Sequence, residues 1–224
     1  MCTGLATTRE HVPPRSFYPD EYVTDSLITV PSCAKHNNAN AKDVEYVRNI
    51  LTAPVQVNQI AREFINGKVG RSYDRSPGLL RETFKDIRPV IYNGEQTGMF
   101  SVNLDRLDIV IRAMAYGLYR RHFGKRFWGS WVVLSSQFLD PDRIGEEPDA
   151  WRQLKFYLRR IQLTPVPVPE SRIFNAGVYV ENEHRVVFGF VFYEGITIHA
   201  VGYPFWKRVP GRGRPTRTRL ARTK

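Results

Sequence analysis

Cysteine is scarce, with 2 in 224 residues, which excludes a disulfide-built scaffold. No stretch approaches the ~18 consecutive apolar residues of a membrane span. Residues 1–14 are polar and hold no apolar segment of the secretory type, so the expectation is a cytoplasmic protein that does not engage membranes. No internal repeat is visible. What is present describes a folded chain: 42% hydrophobic, 12% aromatic and 25% charged residues. The length is enough to bury a core without covalent help.

Charge is unevenly placed. The formal net charge is +11, yet residues 207–224 alone carry eight basic side chains and no acidic one. The other residues hold 25 basic against 22 acidic groups. The chain therefore reads as a nearly neutral globule with a cationic tail. Arg, Gly, Pro and Thr cannot bury enough apolar surface to fold alone, so the tail is expected to be disordered. Its natural partner is a polyanion, nucleic acid before an anionic membrane or acidic protein; the plainer alternative is a solubilising terminus. Arg212, Arg214, Arg217, Arg219 and Arg222 are the tail residues expected on phosphates.

The pattern between these ends predicts an α+β chain: a small Cys/His module, helices, an antiparallel sheet and the tail. Val44, Val47 and Leu51 predict a helix over 41–51. SLITVP, residues 26–31, predicts an extended segment stopped by Pro31. A weaker helix over 57–66 is expected to end at Gly67, and a short one over 78–87 carries Leu80, Phe84 and Ile87. Residues 89–103 read as extended or looping. The clearest helix follows Asn103, with Leu104, Leu107, Ile111, Met114, Leu118 and Tyr119 on one stripe. Asp105 near its start, basic residues in its last turn and Gly124 after it suit the helix dipole and a C′ glycine. A further helix is predicted over 148–160. FNAGVYVEN, EHRVVFGFVFY and ITIHAVGY then alternate as a three-strand antiparallel meander.

Two groups of residues carry chemistry. Cys33-Ala34-Lys35-His36 has zinc-ligand spacing, and Cys2 is a possible third ligand. Buried thiols or a Cys2–Cys33 disulfide are the alternatives. Glu10-His11 sets a carboxylate beside an imidazole. On an extended segment the two point to opposite sides, so one can bind a metal while the other acts as a base. Elsewhere, Tyr119–Phe123 and Lys125–Trp128 interleave basic and aromatic residues, the pattern of a single-strand-binding surface; the favoured reading is core aromatics beside basic groups that satisfy a helix end. His184 and His199 read as structural. Asp140, Asp142, Glu146 and Glu147 match no cation-binding loop.

Glu10-His11-Val12-Pro13-Pro14, then Leu27 to Cys33, then His36-Asn37-Asn38 and Lys42-Asp43 together resemble the ββα-metal core of HNH endonucleases of bacterial or phage type. The resemblance covers residues 2–51. It implies a metal-dependent nuclease acting on DNA, with RNA second. Residues 1–52 would form the ββα-metal module, 53–206 a helical and β-meander domain, and 207–224 the tail. Glu10 would be the acidic ligand of a catalytic Mg²⁺ or Mn²⁺, with Asn37, or Asn38 one position on, as a second ligand. His11 would be the general base. Cys2, Cys33 and His36 would hold a structural Zn²⁺, and Lys42 would contact nucleic acid. Ser26 stands where the family has an Asn that orients the base, and is expected to serve through its backbone. The family pattern places a further Cys three residues before Cys2. A zinc-stabilised binding protein without catalysis is the alternative.

Overall fold

The computed structural model describes residues 6–33, 39–135, 138, 149–182 and 185–204. Two short strands come first, β1 (Thr8–His11) and β2 (Thr29–Ser32), paired antiparallel with Glu10 opposite Val30 and His11 opposite Thr29. Helix α1 (Ala41–Thr52) follows. Then come α2 (Gln59–Phe64), a π-helical turn over Ile65–Val69, α3 (Gly70–Arg75) and α4 (Pro77–Thr83). Strands β3 (Lys85–Tyr92) and β4 (Glu95–Ser101) form a separate hairpin turning at Asn93-Gly94. The long helix α5 (Leu104–Phe123) leads into β5 (Gly129–Ser135), α6 (Asp149–Leu158) and β6 (Thr164–Val166). The chain then runs through β7 (Phe174–Asn182), β8 (Arg185–Phe192) and β9 (Ile196–Pro204). The class is α+β, and the main sheet is antiparallel in the order β5-β9-β8-β7-β6.

Period-two alternation gives that sheet two apolar faces. Trp131, Phe174, Phe188, Phe190, Phe192 and Ile198 enter the main core. Val132, Leu134, Val187 and Val201 enter a smaller one, with Tyr157, Leu158, Ile161 and Leu163 packed over them. The Phe188 and Phe190 rings lie nearly parallel with centroids 6.1 Å apart, and Phe174 and Phe192 lie 5.4 Å apart. Truncating one such buried ring to Ala costs about 3–5 kcal/mol.

Helix α5 forms where its sequence signals place it. The Asn103 side chain accepts from the Arg106 backbone N–H at 3.2 Å. At the other end Gly124 has φ +68° and donates its N–H to the Arg120 carbonyl at 3.0 Å. Leu107, Ile111, Met114 and Leu118 are buried. Leu104, assigned to the same stripe, is 49% exposed.

The core is continuous from Val12 through Tyr46, Ile50 and Ile111 to Ala200. The first fifty residues are therefore fastened to the sheet, and one fastening is polar. The fully buried Tyr193 hydroxyl donates to the Phe17 carbonyl at 2.5 Å. Arg106 fastens α1 at its first turn, bonding Asp43 at 2.7 Å and the Lys42 carbonyl at 2.6 Å. It also pairs with Glu82 of α4 and lies 4.3 Å from the centre of the Tyr46 ring.

Several expectations change. The sheet has five strands, not three: β5 lies beside β9, and β6 lies on the outer edge beside β7. Strand β6 contains Pro165, which an edge position tolerates. Pro31 does not stop β2 but pairs with Arg9 inside it. Gly67 lies within the π-helical turn instead of ending a helix, and the chain stays helical to Arg75. Helix α4 ends at Thr83, and Ile87 belongs to β3, where it is 63% exposed. Cys2, His36, Asn37, Asn38, His184, the acidic residues 140–147 and the tail lie outside the described residues.

Candidate active site around Glu10 and His11

The segment from β1 to α1 runs strand, strand, helix, with α5 packed beneath the strands. That packing needs an unusually small residue on α5. A Cβ at Gly117 would lie 2.7 Å from Val12 Cγ2 and 3.4 Å from Val30 Cγ2. Glycine at 117 thus lets the β1–β2 pair settle directly on the helix, which fixes Glu10 and His11 relative to α5.

Glu10 and His11 both line a narrow cleft walled by Val30, by Asn40 and Val44 at the start of α1, and by Val110, Ala113 and Met114 of α5. Strand β1 ends at His11 and the chain bends at Val12 and Pro13. The Glu10 carboxylate accepts from the Ser32 hydroxyl at 3.3 Å. Burial pushes the His11 imidazole below its usual 6.5, and the nearby Arg15 guanidinium pushes it the same way. At neutral pH the ring is therefore the free base and able to accept a proton. The charge on Arg15 makes protonation harder without entering the cleft.

Asn40 is the residue the sequence did not single out. It precedes α1 at its N-cap position, yet its side chain makes no capping bond, and it lines the cleft. The signal was the run of asparagines around 37–40, in which spacing alone could not choose a member.

Other expected site residues are placed apart from the cleft. Ser26 is exposed, shares a 2.7 Å hydrogen bond with the Thr24 hydroxyl, and borders a second depression together with Arg9. Lys42 is exposed on the first turn of α1. Cys33 directly follows β2 and is half-buried. His199 lies in β9 with its pKa lowered by burial, as befits a structural histidine.

Glu10 fits a divalent-cation site in donor type, as a hard carboxylate oxygen, and leaves the His11 imidazole for proton transfer. Among the described residues, no three His, Cys, Asp or Glu side chains come together as a metal-ligand group. The other donors expected from the sequence, Cys2, His36, Asn37 and Asn38, lie outside the described residues. Among the described residues no helix is long and apolar enough to cross a membrane. Comparison of the chain with protein-family models, curated proteins and solved structures finds no match in any of the three.

Proposed function

We propose that this chain is a metal-dependent endonuclease of the HNH type that hydrolyses phosphodiester bonds in DNA. The observation that carries the reading is one cleft lined by Glu10, His11 and Asn40, bounded by two antiparallel strands and the helix after them. His11 takes a proton from water as the water oxygen bonds to phosphorus and the ester P–O bond breaks. Glu10 and Asn37, or Asn38, would hold Mg²⁺ or Mn²⁺. The bound cation supplies positive charge against the charge that develops on the phosphate. Asn40 adds a further amide oxygen at the mouth of α1. Cys2, Cys33 and His36 are the proposed ligands of a structural Zn²⁺, and Lys42 and the arginines of the tail the proposed phosphate contacts.

The test is cleavage of supercoiled plasmid in Mg²⁺ or Mn²⁺, with His11→Ala and an EDTA control beside the wild type. Nicking or linearisation by wild type alone, with the melting temperature of His11→Ala unchanged, supports the reading. Equal cleavage by both proteins removes His11 from the role of base. No cleavage by either, with salt-sensitive DNA binding, favours the non-catalytic binding protein.

A further inference from the structure

Beside the cleft, strand β1 also borders a broader depression of about 410 Å³. Its walls are Arg9, residues 26–29 leading into β2, Arg121 at the end of α5, and Pro167 to Pro169. Two arginines line it from different elements, Arg9 of β1 and Arg121 of α5, and among the described residues no carboxylate lines it. The neighbouring Glu170 is held by Arg172 at 2.8 Å, which keeps its charge engaged elsewhere.

Beyond Arg121 the chain leaves α5 and turns into β5. Residues 120–128 contain Arg120, Arg121, Lys125 and Arg126 and no acidic residue, and all four of these basic residues are exposed. The aromatics of this stretch divide. Tyr119 and Phe127 are buried against Trp131, as the sequence implied, but Trp128 is 60% exposed. An exposed indole among cations offers a stacking platform for a base. Pro-Val-Pro in the wall of the depression and an exposed ring seven residues along the chain from Arg121 suit an extended polyanion better than a compact one.

We propose that the depression docks a nucleic-acid strand, with backbone phosphates on Arg9 and Arg121 and, further along the strand, an unpaired base stacked on Trp128. The inference rests on the nucleic-acid reading of the neighbouring cleft and places the path by which the strand reaches it. Arg9 immediately precedes Glu10 on β1, with Arg9 lining the depression and Glu10 the cleft, so the one strand borders both.

The experiment measures binding of the full-length chain to a fluorescein-labelled 20-nucleotide single-stranded DNA by anisotropy, in EDTA so that nothing is cleaved, across a salt series. Arg9→Gln with Arg121→Gln should weaken binding at least tenfold at ~0.1 M salt and lower the slope of log K against log[salt] by about 1.4, at ~0.7 for each phosphate left without its arginine. Trp128→Ala should weaken binding by about tenfold with the slope unchanged, and should matter less for a blunt duplex of the same length. Thermal melts of all variants should match the wild type, since the three side chains are exposed. Unchanged affinity and slope in both variants overturns the proposal. So does equal weakening for an acidic polypeptide such as poly-glutamate, which would mark a general polyanion or acidic-protein surface. Loss of binding in these variants of a protein that cuts no plasmid would sink only the nuclease reading. Normal binding by variants of a protein that does cut would sink only the docking face.

Discussion

Gly117 gives the sharpest test of how the strands that carry Glu10 and His11 are seated. By intrinsic propensity alone, Gly117→Ala in the middle of a helix should stabilise by about 1 kcal/mol. The packing opposes this, because the new methyl would lie 2.7 Å from Val12 Cγ2, well inside van der Waals contact. Overpacking of this kind costs about 1–3 kcal/mol. With a central cost of about 2 kcal/mol, the variant should lose about 1 kcal/mol net, or ~3 °C in melting temperature for a chain of this size. Val12→Ala, at a fully buried position, should lose about 2 kcal/mol through reduced burial and a cavity. In the double variant the methyl introduced by Gly117→Ala enters space vacated by Val12. The clash disappears while the helix gain remains, so the double should lose about 1 kcal/mol rather than the additive ~3. Urea denaturation of the four proteins measures this coupling. A double variant that loses the sum, or a Gly117→Ala single more stable than wild type, would refute the claim that α5 seats β1 and β2 through Gly117.

Three further outcomes follow from other contacts. Arg106→Met should lose about 2 kcal/mol in urea denaturation, since it strips Asp43, Glu82 and the Lys42 carbonyl of a shared partner at a site only partly screened by water; a loss below ~0.5 kcal/mol would mean that these pairs are held only as surface ion pairs are. Tyr193→Phe should lose about 1–2 kcal/mol, because the Phe17 carbonyl is left without its buried donor, and an unchanged denaturation midpoint would count against that fastening. Folding holds the His11 pKa below 6.5, so its contribution to stability is full above that value and is lost as pH falls through the lowered one. If His11 is the base, cleavage rises with pH through an inflection below 6.5, and Arg15→Gln moves that inflection upward by removing one of its two causes; an inflection that stays in place would exclude Arg15 as a cause.

Much of the chain was legible where local chemistry decides. Helix α5 needs only its stripe, Asn103, its charged ends and Gly124, all carried within 103–124. The limits of β7 and the order β7-β8-β9 follow from alternation and from breaks at charged or glycine positions. Legibility failed where a partner distant in sequence decides. Strand β5, GSWVVLS, is too short and too uniformly apolar to be told from a buried helical piece, and it becomes a strand by pairing with β9, some seventy residues later. Ile87 matched a helical stripe but lies in β3, at an irregularity between Lys85 and Arg88, the residues that pair with β4 on either side of it.

The site divides in the same way. The sequence by itself determined which groups are chemically able to act: the adjacent carboxylate and imidazole at Glu10 and His11, the asparagine run, and the cationic stretch at 120–126. It also marked the extended segment at 26–31 and the helix at 41–51, though not β1. Only the tertiary structure decided that Asn40 faces the cleft shared by Glu10 and His11, and that Arg15 biases His11 toward its free base. It alone placed Arg121 and Arg9 around one depression and left Trp128 exposed while Phe127 is buried. The physical reason is that residue type and local spacing fix what a side chain can donate, accept or bury. Which side chains share one solvent-poor space depends instead on how α5 and the sheet pack, through contacts between residues far apart in the chain, such as Gly117 with Val12 and Tyr193 with Phe17.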